Sequence, residues 1–175
     1  MLARMIIRTA GRSDARALSE LAIATYSDAF GHSFSAADLA AHLRENLSEA
    51  CFERFLDADV FLLAAVDDHV VGYVQFGAAS LPVGTASKTD QELRRLYVHT
   101  DFQGQGIGTS LIAAALDHPQ LKGARNIYLD VWERNDGAQG FYRRYGFEAI
   151  GARDFAVASG AATDRDVIMV RRSSP

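Results

Sequence analysis

The sequence predicts a mixed α/β fold, and three observations predict it. Short apolar runs of strand length alternate with stretches in which apolar residues return every three or four positions. The run Val60–Val66 is apolar without a break, as a strand covered on both faces requires. Between the strand-like segment Leu93–Val98 and a helical stretch holding Ile107, Leu111, Ala114 and Ala115, the chain carries Gly104, Gly106 and Gly108 in alternation.

Taken in order, Met5–Arg8 reads as a first strand, and Gly11-Arg12-Ser13-Asp14 supplies a turn and a helix N-cap. Leu18, Leu21, Ala22 and Tyr26 place the first helix from Ala15 to Phe30, with Gly31 to stop it. Ser35 caps a second helix with Asp38 three positions on, and Leu39, Leu43 and Leu47 form its buried stripe. One or two more helical turns fall between Ser48 and Leu56. Val60–Val66 and Val70–Phe76 form a hairpin about Asp67-Asp68. Ser80–Thr89, with Pro82 and Gly84, is a loop leading into the Leu93–Val98 strand. The helix after Gly108 stops near Asp117-His118, because Pro119 cannot continue it. Asn126–Trp132 is a strand, Asp136–Tyr145 a helix closed by Gly146, and Phe147–Gly151 and Val167–Val170 two last strands on either side of Gly160. No repeat or composition break divides the chain, so residues 1–175 read as a single domain.

Bulk composition narrows the function. Apolar residues make up 49% and charged ones 23% of 175 residues, ordinary for a globular protein. A net charge of −4 argues against a nucleic-acid-binding surface built on a basic face. No apolar run approaches the ~20 residues of a membrane span, and the first residues lack the apolar block of a signal peptide. Cys51 is the lone cysteine, so no internal disulfide forms and a cytoplasmic location is expected; its apolar neighbours Phe52, Phe55 and Leu56 place it in packing. The five histidines show no metal-ligand spacing, and no metal is expected.

The glycine turn is where chemistry enters. Glycine lets the backbone turn sharply, and the first amides of a helix have no internal partner and attract anions. Gln103-Gly104-Gln105-Gly106-Ile107-Gly108-Thr109 therefore reads as a phosphate cradle or as a tight turn without a ligand. A Walker loop would need a lysine after Gly108, where Thr109 stands; a dinucleotide fingerprint would need glycine where Leu111 stands. The spacing Gln103, Gly106, Gly108 resembles the acetyl-CoA pyrophosphate loop of the GNAT superfamily of N-acetyltransferases. Two further segments carry the same resemblance. Glu92–Val98 resembles the strand before that loop, and Asn135, Ala138, Tyr142 and Gly146-Phe147 match the family pattern N-x-x-A-x-x-x-Y-x-x-x-G-F.

The resemblance spans the chain and implies a GNAT fold: one mixed sheet of about seven strands, its central strands splayed, with helices on both faces. It implies an acetyl-CoA-dependent N-acetyltransferase in which amine attacks thioester directly. Leu96, Tyr97 and Val98 would hold the pantetheine amides and the developing oxyanion, and Gln103 through Thr109 the pyrophosphate. Gln103 stands where arginine is also common in the family, so the phosphates would lean on backbone amides. Tyr142 is the family's usual general acid; its ordinary pKa of ~10 lies near a thiol's ~8.5, which makes proton donation to the thiolate feasible. Asn135 either contacts the cofactor or caps the following helix. Glu92 stands where several members carry a base that works directly or through water. The first two helices usually line the acceptor side, which gives Tyr26, Phe30 and His32 as substrate-binding residues, with Asp28 and Phe34 nearby. Aromatic faces and a carboxylate suit a cation, so the expected acceptor is a small, polyamine-like primary amine. A protein N-terminus or lysine, and a non-catalytic acetyl-CoA-binding module, stay open as alternatives, as does a homodimer.

Overall fold

The computed structural model describes residues 4–83, 87–156 and 163–173. Seven strands form a mixed sheet in the order β1-β2-β3-β4-β5-β7-β6: β1 Met5–Thr9, β2 Val60–Val66, β3 His69–Ala78, β4 Gln91–Val98, β5 Asn126–Trp132, β6 Glu148–Ala156 and β7 Thr163–Arg172. The helices are α1 Ala15–Phe30, α2 Ala36–Asn46, α3 Glu49–Ala58, α4 Ile107–Asp117, α5 Pro119–Lys122 and α6 Asp136–Arg143. The chain packs as two compact units, Met1–Phe76 with Arg95–Asp117, and Gly77–Arg94 with His118–Pro175.

In the first unit β1 and β2 pair antiparallel from Met5↔Val66 to Thr9↔Leu62, and β2 with β3 from Val60↔Phe76 to Val66↔His69. Asp67 and Asp68 turn the β2–β3 hairpin with φ of 46° and 67°, the handedness that a two-residue hairpin turn needs. Residues Phe61 to Ala65 of β2 are all buried, as the unbroken apolar run requires. Phe61, Leu63 and Tyr73 pack against Leu18, Leu21 and Ala22 of α1 and Phe52 of α3. Helix α1 has the expected bounds, but two of its local devices differ. Asp14 makes no side-chain cap; it accepts from the Gly11 amide at 2.8 Å and from both Arg8 nitrogens at 2.7 and 2.8 Å. Gly31 keeps φ at −56°, so the chain runs on into a 3-10 turn instead of reversing.

Ser35 caps α2 as expected, accepting from the Asp38 amide at 3.1 Å. The α2 stripe, however, is buried only at Leu47; Leu39 and Leu43 are half-buried, Leu43 packing on the edge of the core. The stretch after Ser48 is a ten-residue helix, α3, longer than its short apolar cluster suggests.

In the second unit, β4 pairs parallel with β5 at Gln91↔Ile127 and Glu92↔Tyr128, β5 pairs antiparallel with β7 along its length, and β7 pairs with β6. Strands β6 and β7 extend well beyond the segments expected from apolar pattern, since Arg153, Asp154, Arg165 and Asp166 lie within them. Those charges pair across the hairpin: Arg165 Nε meets Asp154 Oδ1 at 2.8 Å. Pro119 opens the short helix α5, where its missing N–H costs nothing. Gly84 and Gly160 lie outside the described residues.

Candidate active site

The expected diphosphate-binding residues follow the end of β4. The His99 amide bonds the Val71 carbonyl at 2.8 Å, and a 3-10 turn over Thr100–Phe102 follows. Gln103 Nε2 donates to the Val98 carbonyl at 3.1 Å, and Gln105 Nε2 to the Asp101 carbonyl at 3.1 Å. The Gln103 side chain thus staples the turn to the end of β4.

Gly104 and Gly106 take φ of +74° and +81°, which side-chain-bearing residues rarely adopt, while Gly108 lies inside α4. A Cβ on either of the first two would meet nothing within 4 Å, so conformation, and not crowding, demands glycine there. The Ser110 amide is bonded to Gly106 O at 2.9 Å, which puts the amides of Ile107, Gly108 and Thr109 ahead of the helix's own ladder. An open turn at the positive end of an eleven-residue helix fits a diphosphate.

Leu96, Tyr97 and Val98 are half-buried, and the Tyr73 and Tyr97 rings meet edge-on at 5.8 Å. The Tyr73 hydroxyl is fully buried with no hydrogen-bond partner among the described residues, and burial drives its pKa far upward.

In the second unit Tyr142 is 8% exposed, its ring edge-on to Phe141 at 5.4 Å and Phe147 at 5.8 Å. Gly146, at φ +83°, turns the chain so that the Phe147 amide returns to Tyr142 O at 3.3 Å. Asn135 Oδ1 accepts from the Ala138 amide at 3.0 Å, so of its two expected roles the helix cap is the one its oxygen performs.

Glu92 is buried, and its carboxylate is fully engaged. Oε2 accepts from the Ser80 amide at 2.7 Å, the Ser80 hydroxyl at 2.9 Å and the Leu81 amide at 3.0 Å, while Oε1 pairs with Arg94 at 2.9 Å. These donors match the roughly four acceptor sites of a carboxylate. Neither the Ser80 contact nor the Leu81 contact is legible in sequence, because the partners are more than ten residues away.

Of the expected acceptor residues, Tyr26 lines a cavity. That cavity, about 180 Å³, is walled by Ala22, Tyr26, His42, Asn46, Arg95 and Tyr97, with Leu47 behind. Tyr26 stacks on His42 at 4.6 Å and 18° and meets Phe30 at 5.0 Å. Phe30 and His32 are not part of the wall, and Asp28 accepts from the Thr100 hydroxyl at 2.9 Å. Burial, then the neighbouring Tyr97, raises the Tyr26 pKa. Burial lowers that of His42, with Arg95 adding to the effect against an opposing pull from Glu45. Sequence reasoning assigned no role to His42 and Arg95. Strand alternation puts Arg95 on the face of Tyr97, and that was the available signal. A larger cavity, about 580 Å³, is lined by Tyr128, Arg125, Arg172 and Ile168 among others; none of the expected site residues reaches it.

Among the described residues no group of three or more His, Cys, Asp or Glu is placed to hold a metal ion, and no helix is long and apolar enough to cross a membrane.

Comparison with known proteins places this geometry. Residues 16–147 match the model of the acetyltransferase (GNAT) family. An uncharacterized N-acetyltransferase of Mycobacterium bovis is 32% identical over 161 residues, covering 91% of this chain and 97% of that protein. A spermine/spermidine N(1)-acetyltransferase of Bacillus subtilis is 34% identical over 64 residues, 36% of this chain and 42% of that one. The crystal structure of the PaiA N-acetyltransferase of Thermoplasma acidophilum, in complex with coenzyme A, superposes with a TM-score of 0.76 at 21% identity, over 97% of this chain and 99% of that one. The mixed seven-stranded sheet, the open glycine turn ahead of α4 and these likenesses agree: the chain belongs to the GNAT family and is an N-acetyltransferase with acetyl-CoA as its cosubstrate.

Proposed function

We propose that the protein, with residues 1–175 as one catalytic domain, moves an acetyl group to a primary amine of a small molecule by direct attack of the amine on the thioester. The observation that carries this reading is the turn at Gly104 and Gly106, held open at positive φ ahead of α4. Acetyl-CoA supplies an activated acyl carbon and a thiolate leaving group. The amides from Gly104 to Thr109 take the diphosphate, and those of Leu96, Tyr97 and Val98 take the pantetheine arm and the oxyanion charge that develops during attack. Holding both reactants turns a bimolecular encounter into a unimolecular one.

Two proton transfers complete the reaction. As the new C–N bond forms and the C–S bond breaks, Tyr142 gives its phenolic proton to the departing sulfur. The amine nitrogen loses its proton to Glu92 through a water that takes the acceptor site now filled by the Ser80 hydroxyl. Return of that proton to the tyrosinate resets the site. The partial likeness to the Bacillus subtilis polyamine enzyme and the aromatic residues Tyr26 and Phe30 support an amine acceptor.

The test is release of free thiol from acetyl-CoA across a panel of spermidine, butylamine, γ-aminobutyrate and an N-terminal peptide. Thiol release that depends on one of the small amines is expected. Release with the peptide alone would move the acceptor to proteins, and no amine-dependent release would overturn the reading.

A further inference from the structure

We propose that the cavity between α1, α2 and β4 is a carboxylate pocket, so that the acceptor is a primary amine whose far end is a carboxylate held by Arg95. This rests on the acetyltransferase reading and specifies its substrate class. Three features of the cavity carry it.

The first is an unneutralised charge. The Arg95 guanidinium lies 4.8 Å over the Phe55 ring and donates from Nη1 to Gln75 Oε1 at 2.8 Å. Gln75 is 1% exposed and fixed in turn by its own bond to Asp59 Oδ2 at 2.7 Å. Arg95 is therefore positioned by a ring face and a neutral amide, and no carboxylate among the described residues pairs with it. A guanidinium never gives up its proton, is weakly hydrated, and offers a planar fork that matches a carboxylate.

The second is the wall. Tyr26, Tyr97 and the His42 ring surround the charge, and none of the lining residues is acidic. Such walls exclude water and so strengthen both attraction to an anion and repulsion of a cation. A polyamine, with a positive charge at each nitrogen, would have to bring like charge to Arg95. Asp28, the carboxylate that the α1 segment offers for a cation, is not part of this wall and accepts from the Thr100 hydroxyl.

The third is size. A cavity of about 180 Å³ is many times the ~10–15 Å³ that one water needs, yet below the ~300–1,000 Å³ of pockets for drug-sized ligands. That suits a carboxylate with a short methylene chain. Arg95 and Tyr97 also belong to β4, the strand that leads through the Thr100–Phe102 turn to the glycine turn.

Matched ligands test this. γ-Aminobutyrate, its carboxamide, butylamine and spermidine are compared as acceptors for the wild type, Arg95→Gln and Arg95→Lys. Butyrate, which has no amine, is titrated into each by calorimetry. For the wild type, kcat/KM for γ-aminobutyrate should exceed that for its carboxamide by about tenfold or more, the worth of a charge-assisted hydrogen bond. Arg95→Gln should erase the preference and the butyrate binding, and Arg95→Lys, which keeps charge without the fork, should keep part of both. A wild type that prefers spermidine or the carboxamide, or a preference that survives Arg95→Gln, would overturn the proposal. If no amine is acetylated, the acetyltransferase reading fails by itself and butyrate decides the pocket: binding lost in Arg95→Gln upholds it, and equal or absent binding refutes it.

Discussion

A Cβ on Gly72 would stand 3.0 Å from the Tyr97 carbonyl oxygen, and also 3.1 Å from Leu111 Cδ1 and 3.4 Å from Ile107 Cγ2. Helix α4 and the end of β4 thus close on β3 so tightly that a methyl there would make its neighbours give by a few tenths of an ångström. The first turn of α4, which carries the candidate diphosphate amides, is seated by this contact.

Gly72→Ala should force α4 away from β3. Overpacking of this kind costs about 1–3 kcal/mol. Urea unfolding should report that loss, and calorimetry should report weaker coenzyme A binding, because the displaced helix start no longer presents its amides. Unchanged stability together with unchanged affinity would remove Gly72 from the support of the turn.

At Gly106 the two costs separate. Gly106→Ala places a methyl in open space and pays only the left-handed backbone penalty, about 1–2 kcal/mol. Gly106→Glu adds a carboxylate where a diphosphate would lie. The alanine variant should still bind coenzyme A, and the glutamate variant should not bind it at any accessible concentration. Equal affinities in the two would show that the diphosphate sits elsewhere.

Tyr142→Phe retains the ring packed on Phe141 and Phe147 and removes only the hydroxyl. Steady-state kinetics should show kcat reduced about tenfold or more with coenzyme A affinity unchanged, in line with a lost general acid. Wild-type turnover would take Tyr142 out of the mechanism.

Glu92→Gln tests a residue with two possible duties. The amide leaves one of the donors from Ser80, Leu81 or Arg94 facing an NH2, so a loss of thermal stability is expected whichever duty holds. Only the proton-accepting role predicts, in addition, that kcat falls about tenfold or more with coenzyme A affinity unchanged. A variant that melts earlier but turns over at the wild-type rate would reduce Glu92 to a clasp on the Ser80–Leu81 segment.

Asp14 gives a pH signature in stability. The hydrogen bonds from Arg8, joined by that from the Gly11 amide, hold its carboxyl below the usual carboxylate range. A depressed native value means that the stabilisation is complete above the unfolded pKa of ~3.9 and disappears as pH falls through the lower native one. Arg8 is half-exposed and partly screened, so Asp14→Asn should cost only about 1–2 kcal/mol near neutrality. Denaturant titrations of the two proteins should converge as pH falls through the depressed native value; a difference that does not shrink in acid would contradict the linkage.

The sequence by itself determined the local elements and the kind of chemistry. Unbroken apolar burial specified β2, and a 3.6-residue period with the Ser35 cap specified α1 and the start of α2. The glycine spacing announced the turn at Gly104 and Gly106, because a backbone conformation closed to other residues leaves its mark in the residue type. Strands β6 and β7 were under-read, since their outer halves are held by charge pairs across the hairpin and not by apolar pattern.

What only the tertiary structure decided is which side chains face one another. Glu92 looks like a free strand-end carboxylate until Ser80 and Leu81 fold back onto it. Arg95 looks like a solvated charge until Phe55 and Gln75 fix it at a wall shared with Tyr26 and His42. Backbone preference and hydrophobic period act over a few residues and are written locally. The partners of a polar side chain come from segments far away in the chain, and only packing brings them within reach.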